Sequence, residues 1–219
     1  GLLRTRPVKL TAPIALARAA GLPYDPDRLA LFQSLLGSLR ALPPRTINAS
    51  VQSDEAFLHC AFFDAYFSNY IEGTKFKVEE AQDIVFHGVL PAARPKDAHD
   101  VLGTYRVVSA REFTARSVVD DTTEAFLDRL RAAHRHIMGG RPEERPGEWK
   151  QAENMAGTTV FVHPELVEGT LQKGIEIVRA LDEPFHRAVA MMCVLSEVHP
   201  FGDGNGRVSR AFMNARETR

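Results

Sequence analysis

The stretch His199-Pro200-Phe201-Gly202-Asp203-Gly204-Asn205-Gly206-Arg207-Val208-Ser209-Arg210 places a base, a carboxylate, a Gly-Asn-Gly turn and two guanidiniums within twelve residues. These are the parts needed to hold a nucleoside triphosphate and attack it. Asp203 is a hard oxygen ligand of the kind that takes Mg2+ alongside substrate phosphates, and the glycines let main-chain N–H groups approach phosphate oxygens. A helix starting at about Asn205 would turn its unpaired N–H groups and positive dipole end toward the same anion. Arg207 and Arg210, three apart, would share a face of that helix and offer planar forks to distal phosphates. His199, with an ordinary imidazole pKa near ~6.5, can as the neutral ring take a proton from an attacking hydroxyl.

Competing readings of this string fail on chemistry. A dinucleotide-binding glycine loop follows a strand, whereas the residues before this loop, Glu183 to Val198, have a helical pattern. A calcium loop starting at Asp203 would place Arg207 at its fifth position and Asn214 at its twelfth, where oxygen ligands and a glutamate belong. A plain surface turn would not account for His, Asp and two Arg at this spacing.

The string resembles the motif of the Fic family, H-P-F-x-D/E-G-N-G-R-x-x-R, and meets all nine specified positions. The resemblance extends over roughly Ser53 to Asn214 and implies a mostly α fold, a Fic-type helical bundle with a short β-hairpin flap over the active site. It implies a protein adenylyltransferase that moves AMP from ATP to a Ser, Thr or Tyr hydroxyl of a target protein. His199 would be the base and Asp203 the Mg2+ ligand. The N–H groups of Gly204, Asn205 and Gly206 would form the anion hole, with Arg207 on the β-phosphate and Arg210 on the γ-phosphate. Transfer of another phosphate-containing group, removal of AMP, and ATP binding without transfer stay open as alternatives.

A second match lies upstream. Ser68-Asn69-Tyr70-Ile71-Glu72-Gly73 fits the family's inhibitory pattern S/T-x-x-x-E-G/N, and Ser68 and Glu72, four apart, fall on one helical face. The resemblance implies that Glu72 pairs with Arg210 and keeps the ATP γ-phosphate out. A carboxylate can occupy a guanidinium site built for phosphate because it offers the same bidentate geometry.

The elements that must position these groups read mostly as helices. Helical periodicity covers Pro26 to Leu42, Ser53 or Asp54 to Gly73, Val78 to Phe86, Asp97 to about Phe113, Thr123 to Ile137, Glu165 to Leu181, Pro184 to Val198, and Asn205 onward. Thr158-Thr159-Val160-Phe161-Val162 is β-branched and aromatic behind an Ala156-Gly157 turn, which predicts a short hairpin. Trp149 to His163 would then be the flap, and an exposed strand edge there would hold a target segment through main-chain hydrogen bonds. Residues 1–50 read as an N-terminal helical extension and 51–219 as the catalytic domain, with the inhibitory helix at about 54–73. Beyond Phe212 and Met213 the final segment carries few apolar residues, where family members continue with further helices. His134 and His136, two apart on a helix, point to different faces and do not suggest a metal pair.

Composition narrows the field. The net charge is -1 with 25% charged residues, so no global basic field points to nucleic acid. No apolar run is long enough for a membrane helix. Cys60 and Cys193 each sit in apolar runs, which predicts buried free thiols and a reducing, cytoplasmic setting. Homo-oligomerisation is left open.

Overall fold

The computed structural model describes residues 10–45 and 53–215. The expected boundary between residues 50 and 51 lies outside the described residues. Helices α1 (Pro13–Ala19) and α2 (Pro26–Arg40) come first, then α3 (Asp54–Ile71), α4 (Val78–His87) and α5 (Pro95–Val108). A single turn, α6 (Arg111–Thr114), leads to α7 (Thr123–Ile137), and α8 (Val167–Arg179), α9 (Pro184–Val198) and α10 (Asn205–Met213) complete the bundle. Between α7 and α8 lies the two-stranded hairpin of β1 (Met155–Ala156) and β2 (Thr159–Val160), paired antiparallel as Met155 with Val160 and Ala156 with Thr159.

Local chemistry fixes the helix starts. Asp25 accepts hydrogen bonds from the N–H groups of Asp27 and Arg28, and the Ser53 and Thr122 hydroxyls cap α3 and α7 in the same way. Pro26, Pro95 and Pro184 occupy first helical positions, where a missing N–H costs nothing. The sequence pattern ran α5 on to Phe113, but the helix stops at Val108 and Ala110 is extended, with φ -75° and ψ 113°. The β-branched pair Val107-Val108 followed by Ser109 is a weak place to continue a helix.

The main core gathers Phe32 of α2, Leu130 and Ile137 of α7, Leu171 and Ile175 of α8, Leu195 and Val198 of α9, and Val208 and Phe212 of α10, all buried. α9 runs through its centre and delivers His199 at its C-terminus. A second cluster joins Phe62 and Tyr66 of α3 to Phe76, Ile84 of α4 and Val101 of α5. This cluster seats α3 so that its last turn faces α10. Asn69 reinforces the seat, with Nδ2 donating to Thr104 Oγ1 at 3.0 Å inside the core.

Two expectations about burial change. Cys60 is exposed and Cys193 only half-buried, both as free thiols. Cys60 lies on an outward face of α3 together with Phe63, Phe67 and Ile71, while Phe57, Ala61 and Tyr66 turn inward. Local apolarity therefore did not report which way the thiol points.

α2 is locked to α8 at one close crossing. The Asp25 N–H donates to Thr170 Oγ1 at 2.9 Å, and a Cβ on Gly169 would overlap the Pro23 carbonyl oxygen. Gly169→Ala is expected to destabilise the protein by about 1–3 kcal/mol, the usual cost of overpacking. The check is a urea titration of Gly169→Ala beside wild type, in which an unchanged midpoint would mean that the crossing can give way.

Candidate active site

His199 is the C-cap of α9 and takes the left-handed conformation, φ 51° and ψ 62°. A non-glycine residue there is uncommon and signals that the surrounding structure holds it. The strain swings the ring out of the helix line and under the flap, where it stacks on Phe161 with centroids 3.7 Å apart and planes at 6°. Nδ1 lies 3.2 Å from Ser196 O. A carbonyl only accepts, so Nδ1 carries the proton and Nε2 presents a lone pair. Burial pushes the His199 pKa below its ordinary value, and the nearby Lys150 charge acts in the same direction. The ring is therefore neutral near pH 7, the form a general base requires.

The loop after His199 is tied inward through its carbonyls. Asn205 exchanges two hydrogen bonds with Phe201, each 2.9 Å, N–H to Oδ1 and Nδ2–H to O. Asn154 Nδ2 adds a second donor to Phe201 O at 3.0 Å, and the Lys150 N–H donates to Pro200 O at 2.8 Å. Gly204, at φ 75°, makes the left-handed step that starts α10. The N–H groups of Asn205 and Gly206, in the first turn of α10, have no intrahelical partner, an arrangement that can serve as an anion cradle. The Gly204 N–H is engaged by Asp203 Oδ1 at 2.6 Å.

Asp203 is half-exposed, and its Oδ2 lies 3.7 Å from Arg207 Nη2. Among the described residues no three His, Cys, Asp or Glu side chains are grouped to hold a metal ion. One accessible carboxylate nevertheless fits Mg2+, which is commonly held by one or two carboxylates with waters and substrate phosphates. Arg207 is buried, and Nη1 lies 2.8 Å from Oδ2 of the fully buried Asp100.

Arg210 is where the two sequence motifs meet. Its Nε donates to Ser68 Oγ at 3.0 Å, and its Nη2 donates to Ser68 O at 2.9 Å and Glu72 Oε1 at 2.6 Å. Glu72 is the C-cap of α3, and Gly73 takes φ 90° to turn the chain away. A Cβ on Gly206 would overlap Glu72 Oε1. The carboxylate thus rests on the first turn of α10, beside the anion cradle.

The hairpin is shorter than its sequence pattern. Thr158 lies in the turn, only Thr159 and Val160 form strand β2, and the next two residues turn inward. Phe161 covers His199, and Val162 is buried in the main core. Core packing captured the apolar end of the expected strand. Trp149 is half-buried at the flap base with its ring 5.2 Å from that of Phe201.

Residues 123–215 match the model of the Fic/DOC family. Those residues carry a Fic domain. It is 28% identical over 160 residues to "Protein adenylyltransferase fic-1" of Caenorhabditis briggsae, covering 70% of this chain and 31% of that protein. It is 24% identical over 171 residues to "Protein adenylyltransferase Fic" of Nematostella vectensis, covering 76% of this chain and 39% of that protein. The chain therefore spans about a third of the length of these curated relatives. Among solved structures, a Fic domain containing signaling protein from Bacteroides thetaiotaomicron superposes with TM-score 0.58 at 19% identity, covering 85% of this chain and 70% of that one. Fic-1 from C. elegans gives 0.57 at 22% identity, covering 91% and 58% respectively. These neighbours share the mostly α fold.

Two further residues that build the site carry no motif in the sequence. Asp100, on α5, holds Arg207 and also accepts from Arg141 Nε at 2.8 Å. His134, on α7, is fully buried and stacks on Phe201 at 3.7 Å. Its Nδ1 accepts from the Gly147 N–H at 2.8 Å, so Nε2 carries the proton and donates to Asp203 O at 3.0 Å. Only His134 carried a local signal, as the member of the His134/His136 pair that falls on the buried face of α7.

Burial lowers the His134 pKa from 6.5 to about 4, against the opposing pull of Asp203. Between those values the unfolded chain binds a proton that the folded chain refuses, so stability rises with pH through this window. Wild type is expected to lose about 3 kcal/mol from this group as pH falls from 6.5 to 4, and little more below that. His134→Phe keeps the stacking and removes the titration. Chemical denaturation of both proteins at a series of pH values should show their stability difference shrinking as pH falls, and a pH-independent difference would mean that His134 titrates normally.

Proposed function

We propose that this Fic domain is a protein adenylyltransferase that transfers AMP from ATP to a hydroxyl side chain of a target protein, and that Glu72 holds it inactive. The observation that carries the reading is the orientation of His199, whose Nε2 is available under the flap at the edge of the anion cradle. Beside it, the seating of Glu72 on Arg210 supports the inhibitory half.

In the proposed reaction the target hydroxyl oxygen attacks the α-phosphorus while His199 Nε2 takes its proton. The bond from the α-phosphorus to the bridging oxygen of the β-phosphate breaks, and pyrophosphate leaves. The Asn205 and Gly206 N–H groups face the phosphates, and Arg207, half neutralised by Asp100, offers its Nη2 edge beside Asp203. Asp203 would hold Mg2+, whose charge offsets that of the phosphates. Arg210 would take the γ-phosphate once Glu72 leaves. Phe161 excludes water from one face of His199, and the hairpin beyond it is exposed for a target segment. Cytoplasmic placement is part of this proposal, in keeping with the free thiols of Cys60 and Cys193; separately, no helix among the described residues is long and apolar enough to cross a membrane.

The strength of the Glu72–Arg210 pair sets what its removal costs. The side chains are 29% and 17% exposed, so the pair belongs nearer the solvent-screened class, worth about 1 kcal/mol, than the buried class. Glu72→Gly is therefore expected to melt only slightly below wild type while transferring AMP at least about fivefold faster, the factor that corresponds to a contact of about 1 kcal/mol. Intact-mass spectrometry after incubation with isotope-labelled ATP and Mg2+ reads the transfer. Equal rates in the two proteins would remove Glu72 from the regulation. In the Glu72→Gly background, His199→Ala should lower transfer by ~10²- to 10⁴-fold with ATP binding kept. Arg210→Ala in that background should instead weaken ATP binding, measured calorimetrically.

A further inference from the structure

The flap is held from outside by a residue of α2. Arg28 Nη2 donates to Val160 O at 2.6 Å, and its Nη1 pairs with Glu197 Oε2 at 3.0 Å. Glu197 lies on α9, two residues before His199. Strand register explains why the Val160 carbonyl is available. The Phe161 N–H donates to Asn154 O at 3.2 Å, which makes 154 and 161 a hydrogen-bonded pair. Alternation then makes Met155 and Val160 a non-hydrogen-bonded pair whose main-chain groups point away from the hairpin. One outer edge of the flap thus presents Val160 O, and Arg28 fills it.

Arg28 is well placed to act as a post. Asp25 caps the first turn of α2 by accepting from the Arg28 N–H itself at 3.0 Å, and the same turn is pinned to Thr170 of α8. The guanidinium is half-buried, and its two contacts leave in different directions, one to the flap and one to α9. The next residue after Val160 is Phe161, whose ring lies flat on His199. A two-stranded hairpin of two residues per strand is marginal alone, so its position depends on such tethers.

Resting on the adenylyltransferase reading of the site, we propose that Arg28 is a positioning residue of the transfer reaction: it latches β2 to α9 and thereby keeps Phe161 on the ring of His199. A consequence is that the β2 edge is closed to main-chain pairing, and a target segment that adds to the flap does so along β1, at Met155. A lysine cannot replace this arginine, because the latch uses two donors held in one plane.

The test uses the whole chain with Glu72→Gly as parent and compares Arg28→Ala, Arg28→Lys and Glu197→Gln. Amide hydrogen exchange over residues 155–161 reads the latch without reference to catalysis. Arg28→Ala should exchange about tenfold faster there, as expected for loss of a charge-assisted hydrogen bond, while the core helices keep their protection. Self-modification at saturating ATP should fall by a similar factor, with the calorimetric ATP Kd unchanged, and Arg28→Lys should resemble Ala more than wild type. Glu197→Gln keeps the Val160 bond and should stay near the parent in flap exchange. Unchanged exchange in Arg28→Ala overturns the latch, and faster exchange with an unchanged transfer rate overturns its role in positioning. A folded parent that transfers nothing overturns the adenylyltransferase reading instead, while the exchange data still decide whether the latch exists.

Discussion

The carboxylate of Asp100 is the interaction on which the rest of the site depends. It has no exposed surface, and it lies between Arg207 of α10 and Arg141 just after α7. A buried carboxylate is costly unless paired, and so is a buried guanidinium. Neither side can leave without stranding the other, so α5, α10 and the end of α7 are fixed relative to one another. Arg141 also reaches Asp97, one turn earlier on α5, at 2.8 Å. Charge pairing here fixes where α10 begins, and the anion cradle exists only at that beginning.

The cradle itself follows from an asymmetry in how the loop spends its backbone groups. The carbonyls of Val198, Pro200, Phe201 and Asp203 all accept from donors packed behind the loop: the Lys150 ammonium, the Lys150 N–H, the Asn154 and Asn205 amides, and the His134 ring. With the acceptors turned inward, the first N–H groups of α10 face outward, and the loop surface becomes a set of donors. Lys150, lowered to about 8 by burial and by the Arg28 charge, keeps positive charge on this side of the site at neutral pH. Under the proposed reading, the preference for an anion is thus distributed over many contacts that never touch one.

How much of this was legible in the sequence depended on whether the contact was local. The family resemblance carried by the twelve-residue motif and the Ser68-to-Gly73 string implied the contact of Glu72 with Arg210 that the structure shows, because each string is a local pattern of residue types. The helix starts at Pro26, after Ser53 and at Pro184 were legible for the same reason. Asp100 was not, since a polar residue on an amphipathic helix looks the same whether it faces solvent or a buried partner as distant in the chain as Arg207, and His134 was marked only by its place on the apolar face of α7. Cys60 and the end of the hairpin failed for a related reason. An apolar run shows that something will be buried, and tertiary packing chooses that Phe161 and Val162 leave the strand while Cys60 faces out.

Glu72 raises a question of magnitude. A half-exposed pair worth about 1 kcal/mol biases an equilibrium only about fivefold, and its place at a helix N-terminus adds about 0.3–1 kcal/mol. Neither would by itself keep a nucleotide from a site lined with donors. The stronger constraint is the docking of α3, whose last turn is held by Ser68 against Arg210, by the buried Asn69 and by the Tyr66 hydroxyl on Phe76 O at 3.0 Å. Glu72 is carried on that turn at an effective concentration that a free carboxylate in solution cannot match. Gly206, with no side chain to prevent the approach, lets the carboxylate reach the helix end. Under the proposed reading, the depth of inhibition is therefore set by how firmly α3 packs on α5 and α10. Any event that loosens α3 would open the site without touching the ion pair itself.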